Sequence, residues 1–225
     1  MNDKNMVLHY NSYKEVTTPR QTLAIGRTDE AGLVMDLNGQ VQFTEADEKD
    51  YHAGLVRPAM GAVSDAKSVL ILGAGDGLAL RDVLAYPVQD VTLVEYDPVV
   101  VAVSRLGPVA RLNKNSFSDP RATTVIDDAR EFLKRNKKLW DVIIVDFPDP
   151  SEGHSPDFYG RKTIEMIMRS VQPSGAVSFH ASADPMNALR VVEEVKRLAR
   201  HVKLVHRKFR VLGDTYFVLA LGSRL

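Results

Sequence analysis

A glycine-rich turn between an uninterrupted apolar run and a helical segment is the feature that most restricts the fold of this chain. Residues 68–72 (Ser-Val-Leu-Ile-Leu) form the run, and residues 73–77 (Gly-Ala-Gly-Asp-Gly) form the turn. A run without polar alternation is typical of a strand buried on both faces of a parallel sheet. Glycine permits a tight turn and lets a ligand approach the backbone, so Gly73 and Gly75 are predicted ligand-binding positions.

Strands and helices then alternate towards the C-terminus. Strands are predicted at 91–95, 123–126, 141–146 and 176–179, and helices at 78–85, from Pro98 onwards, and at 129–134, 159–171 and 187–200. The last two strands, 202–205 and 216–221, can pair as a closing antiparallel ribbon. This alternation predicts an α/β protein with a Rossmann-like, class I methyltransferase fold, built on a seven-stranded and mostly parallel sheet.

The first part of the chain has a different pattern. Apolar and polar residues alternate over 20–44, which predicts a small antiparallel β-sheet, and residues 45–62 look helical with a bend at Pro58. We therefore expect residues 1–62 to form an N-terminal β-strand region with a connecting helix. Residues 63–225 are expected to form the Rossmann-like cofactor-binding catalytic domain.

Composition excludes several function classes. The chain has no cysteine, which removes thiol nucleophiles, disulfides and cysteine zinc sites and suits a cytoplasmic protein. Basic and acidic residues are equal at 29 each, so no overall field attracts nucleic acid or an anionic membrane. The polar start and the lack of a long apolar run predict neither a signal peptide nor a membrane span. The histidines lack metal-ligand spacing, so no metal is expected, although His180 ends a predicted strand near the ligand edge.

Acidic residues follow the ends of four successive predicted strands. They are Asp76, Glu95, Asp128, Asp146 and Asp149. Because ligands of open α/β sheets bind beyond the carboxyl ends of the strands, these side chains are expected to share one edge. Carboxylates crowded together repel one another, and this crowding therefore predicts a ligand that carries positive charge.

Each carboxylate has a functional and a structural interpretation. Asp76 would repel a pyrophosphate and suits a sulfonium cofactor with an amino group, or it caps the following helix. Glu95 accepts hydrogen bonds from ribose hydroxyls, or it is a solvated strand end. Either Asp127 or Asp128 accepts from an adenine amino group, with Asp128 preferred because it directly precedes the helix, or it serves as an N-cap.

Together these residues resemble the polyamine aminopropyltransferase family, typified by spermidine synthase, over about residues 21–182. The similar segments are Asn38-Gly39 with Gln42, Asp47-Glu48, Tyr51-His52, 73–77 with Leu80-Arg81, 95–98, Asp128-Ala129 and 146–150. The sequence of 37–39 and 146–150 is most similar to the branch that is fused to membrane helices, whereas no transmembrane part is predicted here.

The resemblance implies roles for individual residues. Gln21 and Glu95 would hold the nucleoside part of decarboxylated S-adenosylmethionine, and Asp128, with Ala129, its adenine. Asp76 would bind the amine of the aminopropyl arm. The remaining roles concern the second substrate: Asp146 would accept the proton with help from Tyr51, and the amine site would include His52, Asp149 and Gln42. A homodimer is also implied.

We therefore predict an aminopropyltransferase that converts a diamine such as putrescine to spermidine or a related polyamine, with 5′-methylthioadenosine as by-product and without a metal. One alternative is an amine N-methyltransferase that uses intact S-adenosylmethionine. Another is a non-catalytic nucleoside- or polyamine-binding protein. The second alternative is motivated by residues 151–156, which depart from the Gly-Pro element that follows Asp-Pro in the family.

Overall fold

Two separate β-sheets organise the protein. The computed structural model describes residues 8–149 and 158–225. The smaller sheet is antiparallel, in the order β1-β2-β3-β4. Its strands are β1 (Tyr10–Thr17), β2 (Thr22–Thr28), β3 (Gly32–Leu37) and β4 (Gln40–Thr44). The predicted N-terminal antiparallel sheet is confirmed, although β1 was not predicted. All eight residues of β1 are exposed, so its sequence lacks the apolar alternation that marks a half-buried strand.

The larger sheet has seven strands in the order β10-β11-β9-β8-β5-β6-β7. These strands are β5 (Ser68–Gly73), β6 (Asp90–Glu95), β7 (Ala122–Ile126), β8 (Trp140–Asp146), β9 (Val171–Ser182), β10 (Ala199–Lys208) and β11 (Asp214–Ser223). Strands β5 to β9 are parallel, and β11 runs antiparallel to both β9 and β10. The predicted seven-stranded, mostly parallel sheet with a closing antiparallel ribbon is confirmed.

Helices connect the strands of the larger sheet. In the described ranges they are α1 (Glu48–Ala62), α2 (Leu78–Leu84), α3 (Pro98–Ser104), α4 (Gly107–Leu112), α5 (Ala129–Arg135), α6 (Arg161–Arg169) and α7 (Pro185–Lys196). The helix predicted over 187–200 was too long, because Ala199 already begins β10. None of the helices in residues 8–149 and 158–225 is both long and apolar enough to cross a bilayer.

Alternate residues of the central strands face two different helical layers. Val69 and Ile71 of β5 pack in one core cluster with α1 and α2, whereas Leu70 and Leu72 pack in another with α5, α6 and α7. Full burial on both faces explains why the sequence of β5 is a continuous apolar run. The division into residues 1–62 and 63–225 stays a prediction.

A third apolar cluster joins the small sheet to the large one. Leu23, Met35 and Phe43 of the small sheet pack against Leu78 at the start of α2 and Val100 of α3. Because α2 and α3 follow β5 and β6, this contact places the small sheet beside the edge where those two strands end. The edge predicted to bind a ligand therefore receives side chains from both sheets.

Asp141 fastens β8 to the beginning of β5. Its carboxylate accepts hydrogen bonds from the backbone N–H of Lys67 (2.9 Å) and from the N–H and hydroxyl of Ser68 (2.9 and 3.0 Å). Burial raises the pKa of Asp141, but the hydrogen bonds from Ser68 and Lys67 outweigh burial and hold the pKa below its usual value. The ionised carboxylate is therefore the form that stabilises the fold.

Asp141→Ala is expected to lower the free energy of unfolding by about 2 kcal/mol at pH 7, because three donors lose a charged acceptor. Since the folded pKa is depressed, this loss should persist down to about pH 4 and shrink as the pH falls further. Urea denaturation at several pH values measures it. The matched control is Asp65→Ala, whose side chain is 76% exposed. Equal effects of the two substitutions at pH 7 would contradict the assignment.

Candidate active site

The turn after β5 brings the ends of three strands close together. Gly73 lies opposite Asp146 in the parallel pairing of β5 with β8. Its φ is +82°, and a Cβ at this position would lie 2.2 Å from the backbone oxygen of Asp146. A Cβ on Gly75 would lie 2.7 Å from the carboxyl group of Glu95 at the end of β6. The absence of side chains at 73 and 75 thus lets Asp146 and Glu95 approach the turn. Direct ligand contact by Gly73 and Gly75 stays a prediction.

Tyr51 on α1 bonds to Asp146 at the end of β8. The hydroxyl donates to Asp146 Oδ1 at 2.9 Å, and the ring is 8% exposed. Burial, followed by the nearby Asp146 carboxylate, raises the pKa of Tyr51 well above its ordinary value. The hydroxyl therefore stays protonated at neutral pH and donates to the carboxylate.

Asp76 lies beside this pair within the glycine turn. It is 8% exposed, and its Oδ1 accepts from the backbone N–H of Leu78 at 2.8 Å. Burial raises the pKa of Asp76; His52 opposes this shift, and Asp146 adds to it. The capping contact is thus present, and Oδ2 accepts no hydrogen bond from the described residues. The two interpretations of Asp76 are therefore compatible.

Glu95, at the end of β6, is a second carboxylate with a raised pKa at this edge. Burial raises the pKa of Glu95 to about 7, although the N–H groups of Asp97 and Tyr96 oppose the shift. Gln21 was predicted to act together with Glu95, and its Nε2 donates instead to Asp97 Oδ2 at 3.1 Å. Asp97 also accepts a hydrogen bond from Thr18 Oγ1 at 2.9 Å. These bonds hold the segment before β2 against Asp97, which follows Glu95 by two residues in the sequence.

Asp128 has an arginine partner, whereas Asp76 and Glu95 have none among the described residues. Its Oδ1 accepts from the N–H of Arg130 at 2.8 Å, which caps α5, and its Oδ2 accepts from the Arg130 guanidinium at 2.6 Å. These bonds lower the pKa of Asp128. Asp127 donates its N–H to Glu95 O at 3.0 Å, which places this strand end beside Glu95. The N-cap role is present, and adenine binding by Asp128, with the buried Ala129, stays a prediction.

The residues predicted for the amine lie in two places. His52 is 1% exposed, and its Nδ1–H donates to Glu48 O at 2.6 Å. Asp149 is buried and accepts from Ser182 Oγ at 2.9 Å and from the N–H of Ala183. Tyr51 contacts the ring of His52, with centroids 5.0 Å apart, and that of His180, 5.8 Å apart. His180 in turn lies 3.9 Å from Asp149, between Nε2 and Oδ2.

Gln42 stands apart from this group. It lies on β4, and its Nε2 donates to the neighbouring Gln40 O at 3.1 Å. Within the described ranges no hydrogen bond joins Gln42 to another predicted site residue. Substrate binding by Gln42 therefore stays a prediction. Residues 151–156, whose sequence departs from the family, lie outside the described residues.

Sequence reasoning missed the contacts that hold helix α1 in place. Arg81 donates to both carboxylate oxygens of Glu48, at 2.8 and 3.1 Å, in a pair that is almost fully buried. Asp47 accepts from the N–H groups of Arg210, Val211 and Leu212, between β10 and β11. The sequence marked Asp47-Glu48 and Leu80-Arg81 only as separate similar segments, because residues that become partners here are distant in the sequence.

Comparison with known proteins adds independent evidence. Among curated relatives, polyamine aminopropyltransferase 2 of Ralstonia nicotianae is 36% identical over 214 residues, which cover 93% of this chain and 42% of the relative. Polyamine aminopropyltransferase 2 of Bacillus cereus is 35% identical over 209 residues, covering 92% of this chain and 56% of the relative. This chain thus spans only about half the length of these curated relatives.

Solved structures show the same fold. Spermidine synthase in complex with the transition-state analogue AdoDATO superposes with a TM-score of 0.89 at 25% identity, covering 97% of this chain and 75% of that one. Spermidine synthase from Thermotoga maritima gives a TM-score of 0.87 at the same identity and coverage. The predicted Rossmann-like class I methyltransferase fold is confirmed.

The sequence profile of the spermine/spermidine synthase domain matches residues 48–221, from the first residue of α1 into β11. That range contains Tyr51, Asp76, Glu95 and Asp146, whose geometry is described above. A match over most of the chain, supported by relatives more than 30% identical and by the shared fold, shows that this chain belongs to the spermine/spermidine synthase family.

Proposed function

We propose that this chain is an aminopropyltransferase that moves the aminopropyl group of decarboxylated S-adenosylmethionine to a diamine such as putrescine. The products would be spermidine, or a related polyamine, and 5′-methylthioadenosine. The observation that carries the proposal is the 2.9 Å contact between Tyr51 and Asp146, next to the buried Asp76. Relatives named polyamine aminopropyltransferases and the AdoDATO-bound spermidine synthase support the substrate pair.

The reaction needs a base but no acid. The amine nitrogen attacks the carbon beside the sulfonium, the new C–N bond forms as the C–S bond breaks, and the bonding pair returns to sulfur. The departing thioether is neutral, so it needs no proton. Because amines are protonated at neutral pH, a carboxylate has to take up the proton. Asp146 has this role, and the Tyr51 hydroxyl fixes one of its oxygens.

The remaining acidic groups bind the positive charges and the nucleoside. Asp76 receives the amine of the aminopropyl arm, which relieves the repulsion that it shares with Asp146. The nucleoside would contact the turn and the neighbouring strand ends, through Gln21, Gly73, Gly75, Glu95, Asp128 and Ala129. The diamine would contact His52, Asp149 and Gln42.

We also propose that the protein acts in the cytoplasm as a homodimer, with residues 1–62 and 63–225 as its two regions. The lack of cysteine supports a reducing compartment. The dimer is supported by the family resemblance, and light scattering after size exclusion tests it. The neutral overall charge supports a small amine, rather than nucleic acid, as the partner.

Product mass spectrometry tests the proposed function directly. Decarboxylated S-adenosylmethionine and a panel of diamines and triamines should give a polyamine longer by one aminopropyl unit, together with 5′-methylthioadenosine. Intact S-adenosylmethionine serves as the control, because a methylated amine would identify an N-methyltransferase instead. Tight binding of the decarboxylated nucleoside without product from any amine would indicate a binding protein.

Asp146→Asn is expected to lower kcat by about 10²- to 10⁴-fold, because the amide is not a base. Asparagine keeps an oxygen that can accept from Tyr51, so cofactor binding should change by less than about 3-fold. Stopped-flow or discontinuous assays give kcat, and calorimetry gives the affinity. Asp65→Asn, at an exposed position, is the control. Parallel losses of turnover and binding would mean that Asp146 has a structural role.

Asp76→Asn tests the selection of the decarboxylated cofactor. The wild type should bind decarboxylated S-adenosylmethionine at least about 10-fold more tightly than the intact form, whose carboxylate would lie near Asp76. Asparagine keeps the oxygen that accepts from Leu78 but removes the charge, so the ratio of the two affinities should fall towards one. Calorimetry with both nucleosides measures this ratio. A ratio that does not change in the variant would rule out the proposed role of Asp76.

The pKa of Glu95, raised to about 7 by burial, predicts a pH-dependent affinity for nucleosides. Ribose hydroxyls favour the ionised acceptor, so affinity for 5′-methylthioadenosine should rise by up to about 10-fold from pH 6 to pH 8 and then level off. Adenine, which lacks ribose, and the Glu95→Gln variant should both give flat profiles. An unchanged pH dependence in Glu95→Gln would assign the titration to another group.

A further inference from the structure

A sharp turn after α4 holds the glycine turn from outside. The Nδ2 of Asn113, a fully buried residue, donates to the backbone oxygens of Asp76 (2.8 Å) and Ser104 (2.9 Å). Ser116 Oγ, at the start of a short 3₁₀ helix, donates to the backbone oxygen of Gly77 at 2.8 Å. A carbonyl oxygen only accepts, so the amide nitrogen of Asn113 is the atom that faces the turn. Two external donors therefore hold the last two residues of the glycine turn.

The segment between these two donors has a strained backbone. Lys114 and Asn115 both have a φ of +55°, in the left-handed region that residues with a side chain rarely adopt. The segment brings both donor atoms close to Gly77, where a Cβ would lie 2.9 Å from Ser116 Oγ and 3.0 Å from Asn113 Nδ2. Strain of this kind persists only where surrounding contacts fix it, and it is frequent at functional sites.

The held backbone belongs to the acid that is proposed to bind the aminopropyl arm. Oδ1 of Asp76 accepts from the N–H of Leu78 at 2.8 Å, and Oδ2 accepts no hydrogen bond from the described residues. Burial and the nearby Asp146 raise the pKa of Asp76 by more than His52 lowers it, so the ionised side chain is disfavoured in its place. A movement towards water or away from Asp146 would relieve this carboxylate. The bonds to the backbone oxygens of residues 76 and 77 oppose such a movement.

We propose that Asn113 and Ser116 are positioning residues, which fix the backbone of Asp76 and Gly77 and so keep the Asp76 carboxylate directed at the amine of the aminopropyl arm. The inference rests on the proposed function, and both residues act through Asp76. A displaced carboxylate would bind the amine more weakly and would align the reacting carbon less well with the attacking nitrogen. 5′-Methylthioadenosine has the nucleoside but no amine, so its binding reports on the rest of the site.

Affinities for two nucleosides test this role. We expect Asn113→Leu, which is similar in size but has no donor, to weaken binding of decarboxylated S-adenosylmethionine about 10-fold. Its affinity for 5′-methylthioadenosine should change by less than about 2-fold. Ser116→Ala should give the same pattern at about 3-fold, and Ser116→Thr, which keeps the hydroxyl, should bind both nucleosides as the wild type does. Calorimetry measures both affinities, and Ser116→Ala decides alone if Asn113→Leu does not fold.

Two further variants are matched controls. Ser223→Ala also removes a buried hydroxyl that donates to a backbone oxygen, that of Met168 at 2.9 Å. Ser223 ends β11, which runs antiparallel to β9, so it lies at the opposite edge of the sheet from the site. Lys114→Gly suits the left-handed backbone and removes no donor to the glycine turn. Both variants should bind the two nucleosides as the wild type does.

A double-mutant cycle shows whether Asn113 acts through Asp76. In the Asp76→Asn background, Asn113→Leu should weaken binding of decarboxylated S-adenosylmethionine by less than about 2-fold, because the charge that it positions is already gone. Losses that multiply in the double variant, or equal losses for the two nucleosides in Asn113→Leu or Ser116→Ala, would overturn the inference. None of these measurements needs turnover. The expected binding pattern without product from any amine would therefore overturn only the proposed function.

Discussion

The close approach of β5 and β8 at their carboxyl ends is the constraint on which the site depends. Only glycine fits at position 73, where a Cβ would collide with the backbone of Asp146, and the missing side chain lets the end of β8 approach the turn. Gly75 does the same for Glu95 of β6. The result is a set of acidic groups that lie close together in a buried site. Burial is the main cause of the raised pKa values of Asp76 and Glu95, and the neighbouring carboxylates add to it. A cationic ligand lowers the free energy of the ionised carboxylates. The same geometry that opposes their ionisation therefore favours binding of the cation.

The partners of each carboxylate separate structural from functional acids. Asp119 and Asp128 are bonded to Arg121 and Arg130, and both have lowered pKa values. Asp141 is surrounded by N–H and O–H donors and joins two strands. Asp76 and Glu95, in contrast, have no arginine or lysine partner among the described residues, and burial dominates their pKa. Burying an ionised carboxylate without a nearby cation costs free energy. Such a group is therefore expected at a site that binds positive charge.

Much of the fold was predictable, because local patterns encode it. The apolar runs of β5 and β8 and the glycine turn between β5 and α2 predicted a parallel sheet around the site, and the strand-end rule predicted that Asp76, Glu95 and Asp146 share one edge. What escaped prediction lacks a local pattern. The exposed strand β1 has no apolar alternation, and the Glu48–Arg81 pair and the bond from Gln21 to Asp97 join residues 33 and 76 positions apart.

The bonds from Asp47 to Arg210, Val211 and Leu212 have a consequence for how the protein is made. The first of them joins residues 163 positions apart, and Phe209 and Phe217 pack on Tyr51 beside it. During synthesis, the parallel strands β5 to β9 can assemble before the final hairpin, β10 and β11, has left the ribosome. Until then α1 lacks its contacts with that hairpin. Contacts of such sequence separation are slow to form. Ligand-binding competence is therefore expected to arise as the last event of folding, after the bulk of the secondary structure is already in place.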